Sequence, residues 1–301
     1  MKLKYAVPAF AAVAALALTG CTDNSAEETG GAGGEETANL IDSIEVDEAA
    51  AAALPEDIAD AGTLIVGTDS AYPPNEFKDP EGNPTGWNVS LVEAIGKKLG
   101  VEISWEIAGF DSIIPRVQGG TFDMGSSSFT DTLERQESVD FIDYYDAGSL
   151  WAAAAGSDVD PEAACGLTVG VQTGTVQDTD ELPTRSQACV DAGEEPIDIL
   201  KFEEQAEVTQ AVIDGRADAM SADSPVTGAA VAASDGALEE AGEIFDAAPY
   251  GFIVAKDDPL QEAIQLAVQS LIDDGTYEEI LVEAGVDAGA VETVEINAVT
   301  E

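Results

Sequence analysis

From Leu64 to Ser126 the chain switches between two hydrophobic periods. Leu64–Thr68 is a short apolar run ending in glycine, the mark of a buried strand. Past the polar stretch that follows, Val89, Val92, Ile95 and Leu99 recur at helical spacing, with Asn88 placed to cap the helix and Gly100 to stop it. Residues 101–107 alternate as a strand. A short helix follows, with Asp111 as its cap and glycines after it, and then a third strand over 121–126. The pattern predicts β-α-β-α-β.

Residues 167–222 repeat that order: a strand in LTVGV, a helix over about 178–192 interrupted early by Pro183, a strand over 196–202, a helix over 204–215 and a strand over 216–222. Two spacings recur with it. Val117, Gly120, Asp123 and Ser126 match Val212, Gly215, Asp218 and Ser221, and Leu64, Val66 and Gly67 match Leu167, Val169 and Gly170. The repeat implies two similar α/β lobes facing each other. Ligands of such sheets sit beyond the carboxyl ends of the strands, so the loops after residues 68, 126, 171 and 222 should border one cleft.

Composition narrows the chemistry. The chain has 301 residues, 60 acidic against 11 basic, with a formal net charge of −49. That field repels nucleic acid and anionic lipid headgroups. No histidine is present, which removes Ser-His-Asp and Cys-His catalysis and the usual zinc sites. The glycines at 30–34 have no strand before them and no helix expected after them, so they are no dinucleotide fingerprint, and no metal or cofactor is expected. Lys2 and Lys4 precede an apolar run, Ala6–Ala17, too short to span a bilayer, which reads as an export signal over residues 1–20. Residues 21–59 begin polar, glycine-rich and acidic and read as a flexible tether. In an exported chain Cys165 and Cys189 suit a disulfide; two buried free thiols are the alternative.

Against so acidic a background the stretch FDMGSSSFTDTLER is unusual. Ser127, Ser128, Thr130 and Arg135 offer hydroxyls and a guanidinium to one carboxylate, although a solvated loop with an incidental arginine would read the same. Across the cleft, the glycine turn of VQTGTVQ can present the N–H groups of Gly174, Thr175 and Val176 to an anion. Asp223, at a strand end, suits an ammonium group, or it caps the helix that follows. Asp69 and Tyr72 flank the first strand, and Phe110 is either a cleft wall or core.

Together, GTDSAYPPNEF, EGNPTGWNVSLVEAIGKKLG, FDSIIPRVQGGTFD, SFTDTLERQESVDFIDYY, VGVQTGT, GRADAMSADSP, PYGFIVAKDDP and DDGTYEEIL resemble the extracellular solute-binding proteins of polar amino-acid ABC transporters, over about residues 60–285. LTGC, Leu18–Cys21, resembles a lipobox, implying lipidation of Cys21 and attachment to the outer face of the cell membrane. The resemblance implies two α/β lobes joined by crossovers near 148–153 and 247–252. The first lobe would comprise 60–150 and a return over 250–288 whose helices pack on it; the second would comprise 151–249, and 289–301 would be an acidic tail. It implies a monomer that delivers a polar or basic L-amino acid (arginine, lysine, ornithine, histidine or glutamine) to a permease. Arg135, Thr130 and the backbone at Thr175–Val176 would hold the α-carboxylate. Asp223 and Ser128 would hold the α-ammonium, and Asp69, Tyr72, Phe110, Ser127 and Gln177 would meet the side chain. Asn75 stands where the family often has an aromatic, which implies a more polar wall, and Asn88 and Ser90 stand where acidic residues are common. A dehydratase-like enzyme on the same fold and a ligand-binding partner of a sensor are the rival readings.

Overall fold

The computed structural model describes residues 33–300; the expected export signal over residues 1–20 and Cys21 lie outside the described residues. Three helices come first: α1 (Gly33–Asp42), α2 (Glu48–Ala52) and α3 (Glu56–Ala61). The first lobe follows with β1 (Thr63–Thr68), a small ribbon of β2 (Phe77–Lys78) and β3 (Pro84–Thr85), α4 (Trp87–Leu99), β4 (Glu102–Ile107), α5 (Phe110–Gln118) and β5 (Met124–Thr130). A four-residue helix, α6 (Leu133–Gln136), leads into β6 (Val139–Ala154). The second lobe holds β7 (Thr168–Gln172), a π-helical turn running into α7 (Leu182–Ala192), β8 (Asp198–Phe202), α8 (Gln205–Ile213), β9 (Ala219–Asp223) and α9 (Ser224–Ala233). The chain returns through β10 (Leu238–Ala255), α10 (Leu260–Asp273), α11 (Thr276–Ala284) and β11 (Ala290–Ile296).

One sheet joins the lobes, in the order β4-β1-β5-β10-β6-β9-β7-β8 with β11 on β6. The outer strands of each lobe are parallel. The central pair, β6 and β10, is antiparallel, and its 16 and 18 residues run without a break from one lobe into the other. The expected crossovers are therefore segments of two strands.

The internal repeat has a hydrogen-bond basis. The Asp123 carboxylate accepts from Ile65 N at 2.8 Å, and the Asp218 carboxylate accepts from Thr168 N at 2.8 Å. Each aspartate sits in the turn before the third strand of its lobe and ties that turn to the first strand. Such a group satisfies a strand-end N–H that the ladder would otherwise leave open.

Helix α10 buries Leu260, Ala263, Ile264, Ala267, Val268 and Leu271, one helical face, in the same core as Leu64, Val66, Leu91 and Ile95 of the first lobe. At roughly 1.5–3 kcal/mol for each large aliphatic side chain, that face alone accounts for its docking. Cys165 and Cys189 form a disulfide within the second lobe.

Four expectations change. The stretch from Gly33 to Ala61 holds three short helices in place of a tether, because Leu40, Ile41, Ile44, Ala50, Leu54 and Ile58 pack on the first-lobe core. The acidic tail is a strand, β11, whose Val294 is buried and which pairs with β6. Helices α4 and α5 start at Trp87 and Phe110, after Gly86 and Gly109, so neither Asn88 nor Asp111 is a cap. The serine segment is no loop: β5 runs on to Thr130 because β10 pairs with Phe129 and Thr130.

Candidate functional site

A small cavity lies between the lobes at the carboxyl ends of β1, β5, β7 and β9. It is lined by Tyr72, Phe110, Ser128, Thr130, Arg135, Gln172, Thr175, Val176, Gln177 and Asp223. Nine of the sequence-identified residues meet there. Asp69 and Ser127 stand just behind the lining: the Ser127 hydroxyl accepts from Asp69 N at 3.1 Å and so orients Asp69.

Arg135 is the cation of the cavity. Its guanidinium donates to Thr130 O at 2.7 Å and Gly174 O at 3.1 Å, and it lies over the rings of Phe110 and Phe129 at 5.7 and 5.9 Å. Burial lowers its pKa to about 10, so it stays charged at neutral pH. Six of the other basic side chains, including Lys98, Arg185, Lys201 and Lys256, are paired with carboxylates; among the described ion pairs none involves Arg135. A buried cation with backbone partners only is suited to an incoming carboxylate.

Facing it, Gly174 takes φ +82°, and a Cβ there would stand 3.2 Å from Asp111 Cβ of the first lobe, so a side chain at this position would be strained and crowded. The expectation that Gly174 N–H meets the anion is corrected: that group donates to Asp178 at 3.0 Å. The Thr175 N–H reaches Gln172 O at only 3.5 Å, and Val176 immediately precedes the helical turn that starts at Gln177.

Asp223 ends β9 and starts α9, yet its side chain makes no cap bond. It accepts instead from Gln177 Nε2 at 2.7 Å, and Gln177 also donates to Ser149 at 2.9 Å. Gln177 thus positions Asp223, a role the sequence did not suggest. Burial raises the Asp223 pKa, while the neighbouring hydroxyls of Tyr250 and Tyr72, the hydrogen bond from Gln177 and the charge of Arg135 oppose the rise.

The end of the site toward Asp69 is a cluster of carboxyl groups. Asp69 accepts from Gln172 Nε2 at 2.8 Å, and burial raises its pKa to about 6. Glu76 is fully buried; Asn88 Nδ2 and the Ser128 hydroxyl donate to its Oε2 at 2.7 and 3.0 Å. Burial raises its pKa to about 8, and the charges of Asp69 and Asp223 add to the rise. Asn75 is not a wall, as expected, but a support: it donates to Ser128 at 2.9 Å and accepts from Trp87 Nε1 at 2.8 Å. Asn75 and Asn88 therefore form one network that holds Ser128 and Glu76, with Ser128 at φ +51°. Phe110 is both wall and core, stacked on Phe129 with centroids 4.6 Å apart.

Three hydrogen bonds join the lobes across the cavity: Arg135 to Gly174 O, Gln172 to Asp69, and Asp223 N to the Tyr72 hydroxyl at 3.0 Å. Gln172 was not singled out from the sequence. A polar side chain at a strand end whose mate position across the repeat is Asp69's neighbourhood was the available signal.

The chain is similar to known proteins in sequence and in fold. Residues 64–283 match the family model described as bacterial extracellular solute-binding proteins, family 3. An arginine-binding protein of Corynebacterium glutamicum is 43% identical over 248 residues, covering 82% of each chain. A lysine/arginine/ornithine-binding periplasmic protein of Escherichia coli is 32% identical over 247 residues, covering 76% of this chain and 87% of that one. The structure of an ancestral arginine-binding protein bound to arginine superposes with a TM-score of 0.67 at 35% identity, covering 74% of this chain and 97% of that one. With two lobes, a cleft at the strand ends and a family match over most of its length, this chain belongs to the bacterial extracellular solute-binding proteins of family 3.

Proposed function

We propose that this protein is the substrate-binding component of an ABC importer and captures a basic L-amino acid, arginine foremost. The observation that carries the reading is the charge inventory of the cleft. Two carboxylates, Asp69 and Asp223, meet one unpaired cation, Arg135, while Glu76, its pKa raised to about 8, keeps its proton at neutral pH. A zwitterion uses Arg135 and Asp223; Asp69 is left for a second positive charge. An acidic side chain would be buried against Asp69 without a cation, at a cost of several kcal/mol.

In this reading Arg135, Thr130 and the N–H groups of Thr175 and Val176 hold the α-carboxylate. Asp223 and Ser128 hold the α-ammonium. Asp69 attracts the distal cation, and Tyr72 and Phe110 cover the aliphatic stem. Each lobe supplies part of the grip, so ligand favours the closed state by differential affinity, and the closed form docks on the permease. The wider vestibule outside the cavity carries Asp131, Glu134, Glu137, Asp180, Glu181 and Asp246, a field that favours approach by cations. The protein acts by binding: the one carboxyl raised to about 8, Glu76, is absent from the cavity lining, so it is poorly placed as a general acid. The lipobox-like LTGC makes Cys21 the anchor of an extracytoplasmic monomer; surface attachment that survives Cys21→Ala would defeat that part.

Calorimetry on protein stripped of ligand by unfolding and refolding tests the whole. L-arginine and its basic relatives should bind tightly and L-glutamate should not. Arg135→Ala and Asp223→Ala should each weaken binding by about a hundredfold or more, the range for truncating one partner of a buried charge pair. Glutamate binding alone, or an unchanged Kd in either variant, overturns the assignment.

A further inference from the structure

We infer that the C-terminal segment Asn297–Val299 positions the ligand clamp by bracing the turn that carries Arg135. The inference rests on the proposed role of Arg135. The segment lies outside residues 64–283, the span shared with the family model.

Strand β11 ends at Ile296, paired with Ile142 of β6. Asn297 then turns the chain with φ +52°, a conformation asparagine tolerates better than most residues. Its side chain and backbone close on Phe141: Asn297 Oδ1 accepts from Phe141 N at 2.9 Å, and Asn297 N donates to Phe141 O at 3.1 Å. Asn297 Nδ2 also donates to Asp140 at 2.8 Å. So fixed, the next residues point their backbone groups at the clamp turn. Ala298 N donates to Asp143 at 2.9 Å, and Val299 N donates to Asp131 at 3.2 Å. Val299 O accepts from Gln136 Nε2 at 2.9 Å, and the same Nε2 reaches both Asp131 oxygens at 2.8 and 2.9 Å.

Asp131 and Gln136 bracket the turn on which Arg135 sits. Asp131 follows Thr130, whose carbonyl holds the guanidinium, and Gln136 follows Arg135 itself. Helix α6 is only four residues long and cannot be stable alone, so its geometry depends on such outside contacts. Both Asp131 and Asp143 are buried, and the tail supplies each with a backbone donor. Without the tail, two adjacent buried carboxylates lose a donor each and the turn is free to shift. A guanidinium that must meet a carboxylate as a bidentate fork is sensitive to such shifts.

The test is a double-mutant cycle read by calorimetry and stopped-flow binding of L-arginine. One arm removes residues from Asn297 onward; the other is Arg135→Lys, which keeps the charge and abolishes the fork. Removing the tail should weaken affinity by about tenfold or more, mostly through the off-rate, and by less than about threefold in the Arg135→Lys background, since coupled residues are non-additive. Equal losses in both backgrounds would show general support only and overturn the inference. So would an unchanged affinity on tail removal while Arg135→Lys weakens binding. If Arg135→Lys itself changes nothing, the clamp reading falls first. Should the shortened chain fail to fold, Asn297→Gly decides on the same criteria, because glycine keeps the turn and loses the two side-chain ties, to Phe141 N and to Asp140.

Discussion

Replacing Glu76 by glutamine isolates the energetic cost of a buried carboxyl at the heart of the site. In the unliganded protein burial raises the Glu76 pKa from 4.5 to about 8. The folded state therefore keeps a proton that the unfolded chain gives up, and stability falls as pH rises between those values. From pH 4.5 to 7 that is about 2.5 units at about 1.4 kcal/mol each, or about 3 kcal/mol. Glutamine retains an oxygen to accept from Asn88 and Ser128 and has no proton to lose. Wild type and Glu76→Gln should thus be similar in stability near pH 4.5, and the variant should be the more stable by about 2–3 kcal/mol at pH 7. The other raised carboxyls, among them Asp69 at about 6 and Asp143 at about 7, are common to both proteins and largely cancel in the difference, apart from the coupling of Asp69 and Asp223 to Glu76. Urea unfolding of ligand-free protein at half-unit pH steps measures it. A difference that stays flat from pH 5 to 8, or grows in favour of wild type, would refute the account of Glu76 as a desolvated acid.

Asp69→Asn should weaken L-arginine by about tenfold while leaving L-glutamine within about threefold, because only the former loses an ion pair; equal losses would remove Asp69 from side-chain selection. Replacing Cys165 and Cys189 together by serine should cost about 3 kcal/mol in urea, given a separation of 24 residues, and an unchanged midpoint would contradict it. With a formal charge of −49, wild-type stability should rise between low salt and about 1 M KCl as self-repulsion is screened; a flat or falling midpoint would count against that.

Periodicity made the two βαβαβ lobes legible, because Leu64, Val66, Val169 and their neighbours are buried on both sheet faces and must be apolar. It could not show that Ser126–Thr130 is strand, since that depends on β10, over a hundred residues away. The helices from Gly33 to Ala61 were hidden for a similar reason: a few small apolar residues suffice only because the first lobe offers them a surface. In the site, residues that bear charge were readable, as Arg135 and Asp223 show. Residues that act on other side chains were not. Gln172, Asn75 and the altered roles of Ser127 and Gln177 depend on who stands opposite.

The placement of β10 between β5 and β6 bears on the order in which the protein folds. The second lobe is one continuous stretch, so its parallel strands can assemble as soon as β9 exists. The first lobe cannot: until β10 arrives, β5 offers an open edge, and until α10 and α11 arrive its core lacks much of its apolar lining. Most of its contacts thus wait for chain that comes more than a hundred residues later, and such long-range closure is slow. The lobe carrying Arg135 is therefore the later to form, with an unpaired strand edge exposed in the interval.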